Sequence, residues 1–317
     1  MIVRLHKSKQ YLLLTLKVLI LGFTFVYVYQ KIYNNDSLNF QAFMEQLKVN
    51  RASSLQIGFF IVLATGNWFF EILKWKTVVK MIRNISFYEA MKQSLASLTI
   101  SLATPNRIGE YGAKAYFFKK EQRKQILFLN FFSHLCQMIT TSFFGIIGIS
   151  FVVQHYELNI VSNNLIIFLI AISGCGFFFY SIRNRQLFIK GFTLKKIDAS
   201  LKGIGPLIGS RVLLFSMLRY CLFSFLFYIL LDYFGVSIPL FEALGLIFSM
   251  YFLVSVLPSI FLFDVVIRGG VAVWLFSLAG ISAFPVLCTV LAMWLLNFLF
   301  PALLGSYYMF AYQRESE

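Results

Sequence analysis

Apolar residues run along this chain in long blocks separated by short basic or polar stretches, with neither the period of a strand nor the one-sided stripe of a soluble helix. A helix needs roughly 20 apolar residues to cross the hydrocarbon of a bilayer. Six blocks are long enough, at about 11–30, 55–73, 125–153, 164–182, 206–231 and 283–312. Two further apolar regions are each interrupted by a proline, Pro105 and Pro258, and so predict broken helices that turn back on themselves. The expected fold class is an all-α polytopic membrane protein, a single integral membrane domain over residues 1–317. It has about six full spans plus two re-entrant or broken helical hairpins, eight hydrophobic segments in all.

The two interrupted regions resemble each other. Ile85-Ser86-Phe87-Tyr88-Glu89-Ala90 matches Ile238-Pro239-Leu240-Phe241-Glu242-Ala243, and sixteen positions separate Glu89 from Pro105 and Glu242 from Pro258. Past each proline comes an acid with a base four residues on, Glu110 with Lys114 and Asp264 with Arg268. An internal duplication accounts for this, with repeat 1 at about 55–153, repeat 2 at about 206–312 and a basic linker at 183–205. Paired, interrupted hydrophobic segments carrying ions point to a transport site.

Basic residues set the orientation. With the N-terminus in the cytoplasm, eighteen Lys and Arg fall on the inner side, in clusters such as Lys74 to Arg83 and Lys119 to Lys124, against Lys31, Lys48 and Arg51 outside. That bias is the positive-inside signature. Both ends of the first hairpin are then cytoplasmic. Three crossings separate it from the second, so the copies have opposite orientation and form an inverted repeat with both termini inside. The linker reads either as an amphipathic helix on the leaflet or as a charged loop.

Composition sharpens this picture. A chain with 59% hydrophobic and only 13% charged residues cannot hide its apolar surface in one soluble core. The net charge of +15 belongs to topology and to contacts with anionic lipid, not to nucleic acid. Cys136, Cys175, Cys221 and Cys288 lie singly in apolar runs, which indicates neither a disulfide framework nor a metal site. The first apolar run is long and lacks a small-residue cleavage site, so it reads as a retained helix and not as a signal peptide.

Candidate chemistry lies in the bases left inside apolar segments, since a charge at mid-membrane is costly and tends to be functional. Arg107, Glu110 and Lys114 share a helical face after the first break, and Asp264 and Arg268 repeat the acid and base after the second. Arg219 lies 13 residues past Pro206, roughly 20 Å into its helix; either a partner such as Asp264 or Glu110 neutralises it or it meets an anionic ligand. The ion pairs either hold the hairpins together or bind a headgroup. Gly109 and Gly269, beside Pro105 and Pro258, allow close approach at the breaks. His134, with Gln137, Thr140 and Thr141, reads as a packed histidine or as part of a polar path. Glu71 lies where Lys74 can neutralise it. No catalytic constellation, metal-ligand cluster or nucleotide loop is evident, so neither an enzyme nor a cofactor is expected.

The stretch Leu102-Ala103-Thr104-Pro105-Asn106-Arg107-Ile108-Gly109-Glu110 resembles the Pro-Gly-Arg-Ile-Gly-Glu motif of the lysylphosphatidylglycerol synthase transmembrane-region family, also called flippase-like. Leu257-Pro258-Ser259, Arg268-Gly269 and Pro301-Ala302-Leu303-Leu304-Gly305 resemble its second half. The resemblance implies a bacterial cytoplasmic-membrane protein comparable to the translocation module of that synthase, without the soluble aminoacyl-transferase domain. Arg107 and Glu110 carry the first motif and Arg268 the second. The leading expectation is a translocator of membrane lipids or lipid-linked headgroups, anionic in character, with substrate-binding residues Arg107, Glu110, Lys114, Arg219, Asp264 and Arg268. The alternatives are an ion-coupled solute transporter or a non-catalytic subunit that partners an envelope-synthesis enzyme.

Overall fold

The computed structural model describes residues 54–102, 104, 108–156, 203–256 and 263–315, which are helical with no strand among them. The order is α1 (Ser54–Val79), α2 (Phe87–Leu102), α3 (Ile108–Tyr116), α4 (Arg123–His155), α5 (Pro206–Tyr233), α6 (Leu240–Val256), α7 (Phe263–Leu278), α8 (Ala283–Trp294), a π-helical turn (Leu295–Leu299) and α9 (Phe300–Glu315). Four stretches are long and apolar enough to cross a membrane: α1, α4, α5 and Ala283–Met309 through the π turn. The blocks expected to span at 11–30 and 164–182, and the linker as far as residue 202, lie outside the described residues.

Each half of the chain runs long helix, hairpin, long helix. The hairpin arms are short: α3 has 9 residues, roughly 14 Å at 1.5 Å per residue, about half the hydrocarbon thickness. The arms α2 and α3 pack on each other, as do α6 and α7.

Both hairpins start for local reasons. Ser86 Oγ accepts the Glu89 backbone N–H at 3.1 Å, half of a capping box, and Pro239 takes the same place before α6. Glu89 and Glu242 lie in the first turns of α2 and α6, where a carboxylate complements the helix dipole. Ala90 and Ala243 are both wholly buried. The duplicated Glu-Ala is thus a starting device for a helix that packs closely. At the ends of α5 and α7, Gly235 and Gly280 take positive φ, and Val236 and Ile281 donate back to Leu231 and Phe276 at 3.0 and 3.1 Å, the closing bond of a Schellman motif.

The halves are joined by exchange. The first arm α2 packs on α9 of the other half, α6 packs on α4, and the equivalent helices α1 and α5 pack on each other. All three contacts are antiparallel. Along α1 and α5 the rings of Phe60 and Tyr233 meet at 5.6 Å and those of Phe70 and Phe215 at 6.0 Å. Along α2 and α9 the pairs are Tyr88 with Tyr308 and Thr99 with Ala302. Along α4 and α6 they are Tyr156 with Glu242 and Phe144 with Phe248. Two matching halves whose equivalent helices meet antiparallel are inverted with respect to each other, as the sequence predicts.

Small residues make the exchanged contacts close. A Cβ added at Gly148 on α4 would lie 2.7 Å from the Gly245 carbonyl oxygen, and one at Gly305 on α9 would overlap the Leu95 carbonyl. Thr99 Oγ1 also donates to the Ala302 carbonyl at 2.8 Å. In hydrocarbon such backbone proximity replaces the hydrophobic drive that lipid cannot supply. Outward faces are apolar, with Ile61 and Val62 on α1 and Phe143 and Ile146 on α4 exposed to where acyl chains would lie. Inside, one apolar cluster gathers Phe227, Leu246, Met250 and Phe276 and a second surrounds Trp75, Ile126 and Phe118.

Candidate functional site

Helix α1 places Asn67, Glu71, Lys74, Trp75 and Val78 on its buried face. Their spacing of three and four residues makes a single stripe, and it is polar where a helix normally carries its apolar seam. Two polar clusters are built on it.

In the first, Arg219 of α5 donates from Nη1 to Glu71 Oε2 at 2.7 Å and from Nε to Asn67 Oδ1 at 2.9 Å. Glu71 also pairs with Lys74 at 2.7 Å. Asn67 Nδ2 passes the network on to Asn297 Oδ1 at 2.7 Å, inside the π turn. Trp68 Nε1 donates to the Asn297 carbonyl at 3.0 Å, giving that backbone acceptor a side-chain partner where the helix is widened and underwound. A π turn of this kind commonly marks a functional position.

The second cluster belongs to the first hairpin. Lys114 Nζ donates to Glu110 Oε1 at 2.7 Å and to Asn130 Oδ1 at 2.9 Å, and sits 4.4 Å from the Trp75 ring centroid. The Trp75 indole is fixed by Gln93 Oε1 at 2.9 Å. Glu110 has a further neighbour in His134 Nε2 at 3.2 Å, whose ring stacks on Tyr111 at 5.4 Å. Buried ions need this kind of complete partnering, because removing one member leaves the other uncompensated.

Between the clusters lies a cavity of about 640 Å³. Glu71, Glu110, Lys114, Arg219 and Arg268 all reach its wall, and Phe227, Met250, Tyr251 and Val290 supply an apolar side. Arg268 lies over the Phe298 ring at 5.6 Å. Four residues expected from the sequence, Glu110, Lys114, Arg219 and Arg268, therefore share one cavity although they come from three helices. Arg107, Pro105 and Pro258, and the side chain of Asp264, lie outside the described residues. Gly109 sits where expected, beside the break: its N–H donates to Thr104 Oγ1 at 2.8 Å, and a Cβ there would meet that oxygen at 2.7 Å. Gly269 packs α7 against Leu287 of α8 instead.

One expected partnership is corrected. Arg219 is neutralised by Glu71 with Asn67 and not by Glu110, which Lys114 and His134 occupy. The antiparallel pairing of α1 and α5 dictates this, since it brings Arg219 opposite the middle of α1. Glu71 correspondingly serves two bases instead of Lys74 alone. His134 is no packed core ring, for a third of its side chain is exposed to the cavity.

The sequence reading missed Asn67, Asn130, Asn297 and Ser94. Signals existed: Asn67 and Asn297 are single amides inside apolar runs, and Asn67 and Asn130 precede Glu71 and His134 by one helical turn. Among the described residues no group of three His, Cys, Asp or Glu side chains is placed to hold a metal ion.

No curated protein and no solved structure matches the chain. A family model does, over residues 14–305, nearly the whole length and including both hairpins. The chain belongs to the family described as the lysylphosphatidylglycerol synthase TM region.

Proposed function

We propose that this multi-pass membrane protein moves an anionic lipid or lipid-linked headgroup between the leaflets of the bacterial cytoplasmic membrane, without covalent chemistry and with both termini in the cytoplasm. The observation that carries the reading is the cavity between the inverted halves, which joins Lys114, Arg219 and Arg268 to an apolar wall. Cationic donors suit a phosphate, which takes charge-assisted hydrogen bonds well, and the apolar wall suits the adjoining glycerol and acyl carbons. Inverted halves around a central site are the usual basis of alternating access.

The test is leaflet equilibration of labelled phospholipids in proteoliposomes. Loss of a charge-assisted bond costs about 1.5–3 kcal/mol, so Arg219→Gln and Arg268→Gln are each expected to slow translocation about tenfold or more. Rates equal to protein-free vesicles for the intact chain would end the proposal. Solute uptake that follows a proton or sodium gradient, with no lipid movement, would replace it with ion-coupled transport.

A further inference from the structure

Two histidines lie among the described residues, and only one faces the cavity. His155 sits half-exposed at the end of α4, 3.7 Å from Glu242, whereas His134 lines the cavity wall with a third of its side chain open. Its ring is held on two sides, stacked on Tyr111 and bonded through Nε2 to Glu110 Oε1 at 3.2 Å. That oxygen also accepts the Lys114 ammonium at 2.7 Å. It is an acceptor towards both, so Nε2 carries a hydrogen whether the ring is neutral or charged. The proton that a neutral His134 lacks therefore belongs on Nδ1. Histidines and acids placed together inside membrane proteins mark proton paths.

The charges around His134 decide what kind of cation can enter. Helix α3 faces it with Glu110, Lys114 and the Tyr111 phenol, and α1 contributes Glu71 with Lys74 behind it. Across the cavity, α5 and α7 add Arg219 and Arg268, and α6 adds Tyr251. Both described carboxylates are already engaged, Glu110 by Lys114 and Glu71 by Lys74 and Arg219. A metal cation would meet four bases, and among the described residues no group of three His, Cys, Asp or Glu is placed to hold one. A proton is different. It arrives as a covalent N–H on a ring already in position and needs no cage of oxygens.

We infer that one proton travels with each anionic headgroup, taken up on Nδ1 of His134 when the cavity opens to one face and released to water when it opens to the other. This rests on the translocation reading and names the co-substrate of that same site. A proton and an anion in one cavity attract each other, so each binds more tightly when the other is present. With a monoanion the pair is neutral, and it crosses without working for or against the membrane potential. The pH difference then drives the lipid.

The test measures how labelled phosphatidylglycerol distributes between the leaflets of phosphatidylcholine vesicles that hold the full chain. The final distribution does not depend on which way the chain inserts. One pH unit across the vesicle, about pH 6 against about pH 7, should favour the leaflet on the alkaline side about tenfold, the ratio for one proton per anion. A potential of about 59 mV, tenfold for one uncompensated charge, should leave the distribution even when no pH difference is present. His134→Gln should reverse both responses, so that the lipid follows the potential and ignores pH. Lipid that follows the potential, or neither gradient, in the intact chain overturns the inference and leaves translocation standing. A His134→Gln chain that still follows pH also overturns it, and the intact chain decides alone where the variant fails to equilibrate lipid. If the intact chain equilibrates lipid no faster than protein-free vesicles, both readings fall.

Discussion

The first arms of the two hairpins, α2 and α6, begin with the same Glu-Ala and then part company. At matched positions, 153 residues apart, α2 buries Gln93, Ser94, Ser97 and Ser101 where α6 buries Leu246, Ile247, Met250 and Val254. Both arms occupy equivalent places, each packed antiparallel on the last long helix of the opposite half. The difference therefore cannot come from the packing partner. Positions that start the helices and let backbones approach are common to both copies, while those that face inward have become polar in one and apolar in the other. Of these positions Ser94 reaches the cavity from α2, and Met250 and Val254 reach it from α6, so the duplicated scaffold presents different chemistry to the same space.

The largest test of that contrast is at α1 and α5. Glu71→Gln leaves Lys74 and Arg219 uncompensated and is expected to destabilise by about 3–5 kcal/mol in reversible unfolding in mixed micelles. Ser224, at the matched position in the second half, has a buried hydroxyl without a partner, so Ser224→Ala should stay within about 0.5 kcal/mol. Comparable losses would mean that the halves share their polar core after all. Next come the close contacts on which the copies agree. Gly148→Val and Gly305→Val each force backbone apart and should cost about 1–3 kcal/mol by overpacking; a large loss at one and none at the other would break the equivalence of the exchanged contacts.

Smaller effects sharpen the helix starts and the link between halves. Ser86→Ala removes the cap on α2 and should cost about 1 kcal/mol, whereas Pro239→Ala on α6 should change far less, since proline gives no side-chain bond; unfolding midpoints of the two variants decide it. Asn67→Leu and Asn297→Leu, combined in a double-mutant cycle, should show a coupling of only about 0.6 kcal/mol, typical of hydrogen bonds within membranes. A coupling several times larger would make the π turn the main tie between the halves.

Much of this architecture was legible without coordinates because membranes constrain sequence so tightly. Block length marked the four long apolar helices among the described residues, and the count of basic residues gave the inversion that antiparallel α1 and α5 display. Costly charges inside apolar runs likewise named Glu110, Lys114, Arg219 and Arg268. What stayed hidden was partnership. That Arg219 meets Glu71 depends on the register between two helices about 150 residues apart, which no local spacing encodes. The neutral lining was passed over too, since Asn67, Asn297 and Ser94 carry no charge and fall outside a count of ionised residues.

The exchange of hairpins between halves has a consequence for synthesis of the chain. Thr99 of α2 waits for Ala302 of α9, 203 residues downstream. At roughly 5–20 residues per second, that is a delay on the order of 10–40 s. During it Tyr88, Leu95 and Thr99 lack the helix that finally packs beside them. The first hairpin is thus the earliest part made of the exchanged pairs and the last to be closed, so it is the natural client of any membrane-resident folding factor. Crosslinking of arrested chains ending before residue 283 should trap such a factor on α2, and chains extended past residue 315 should release it.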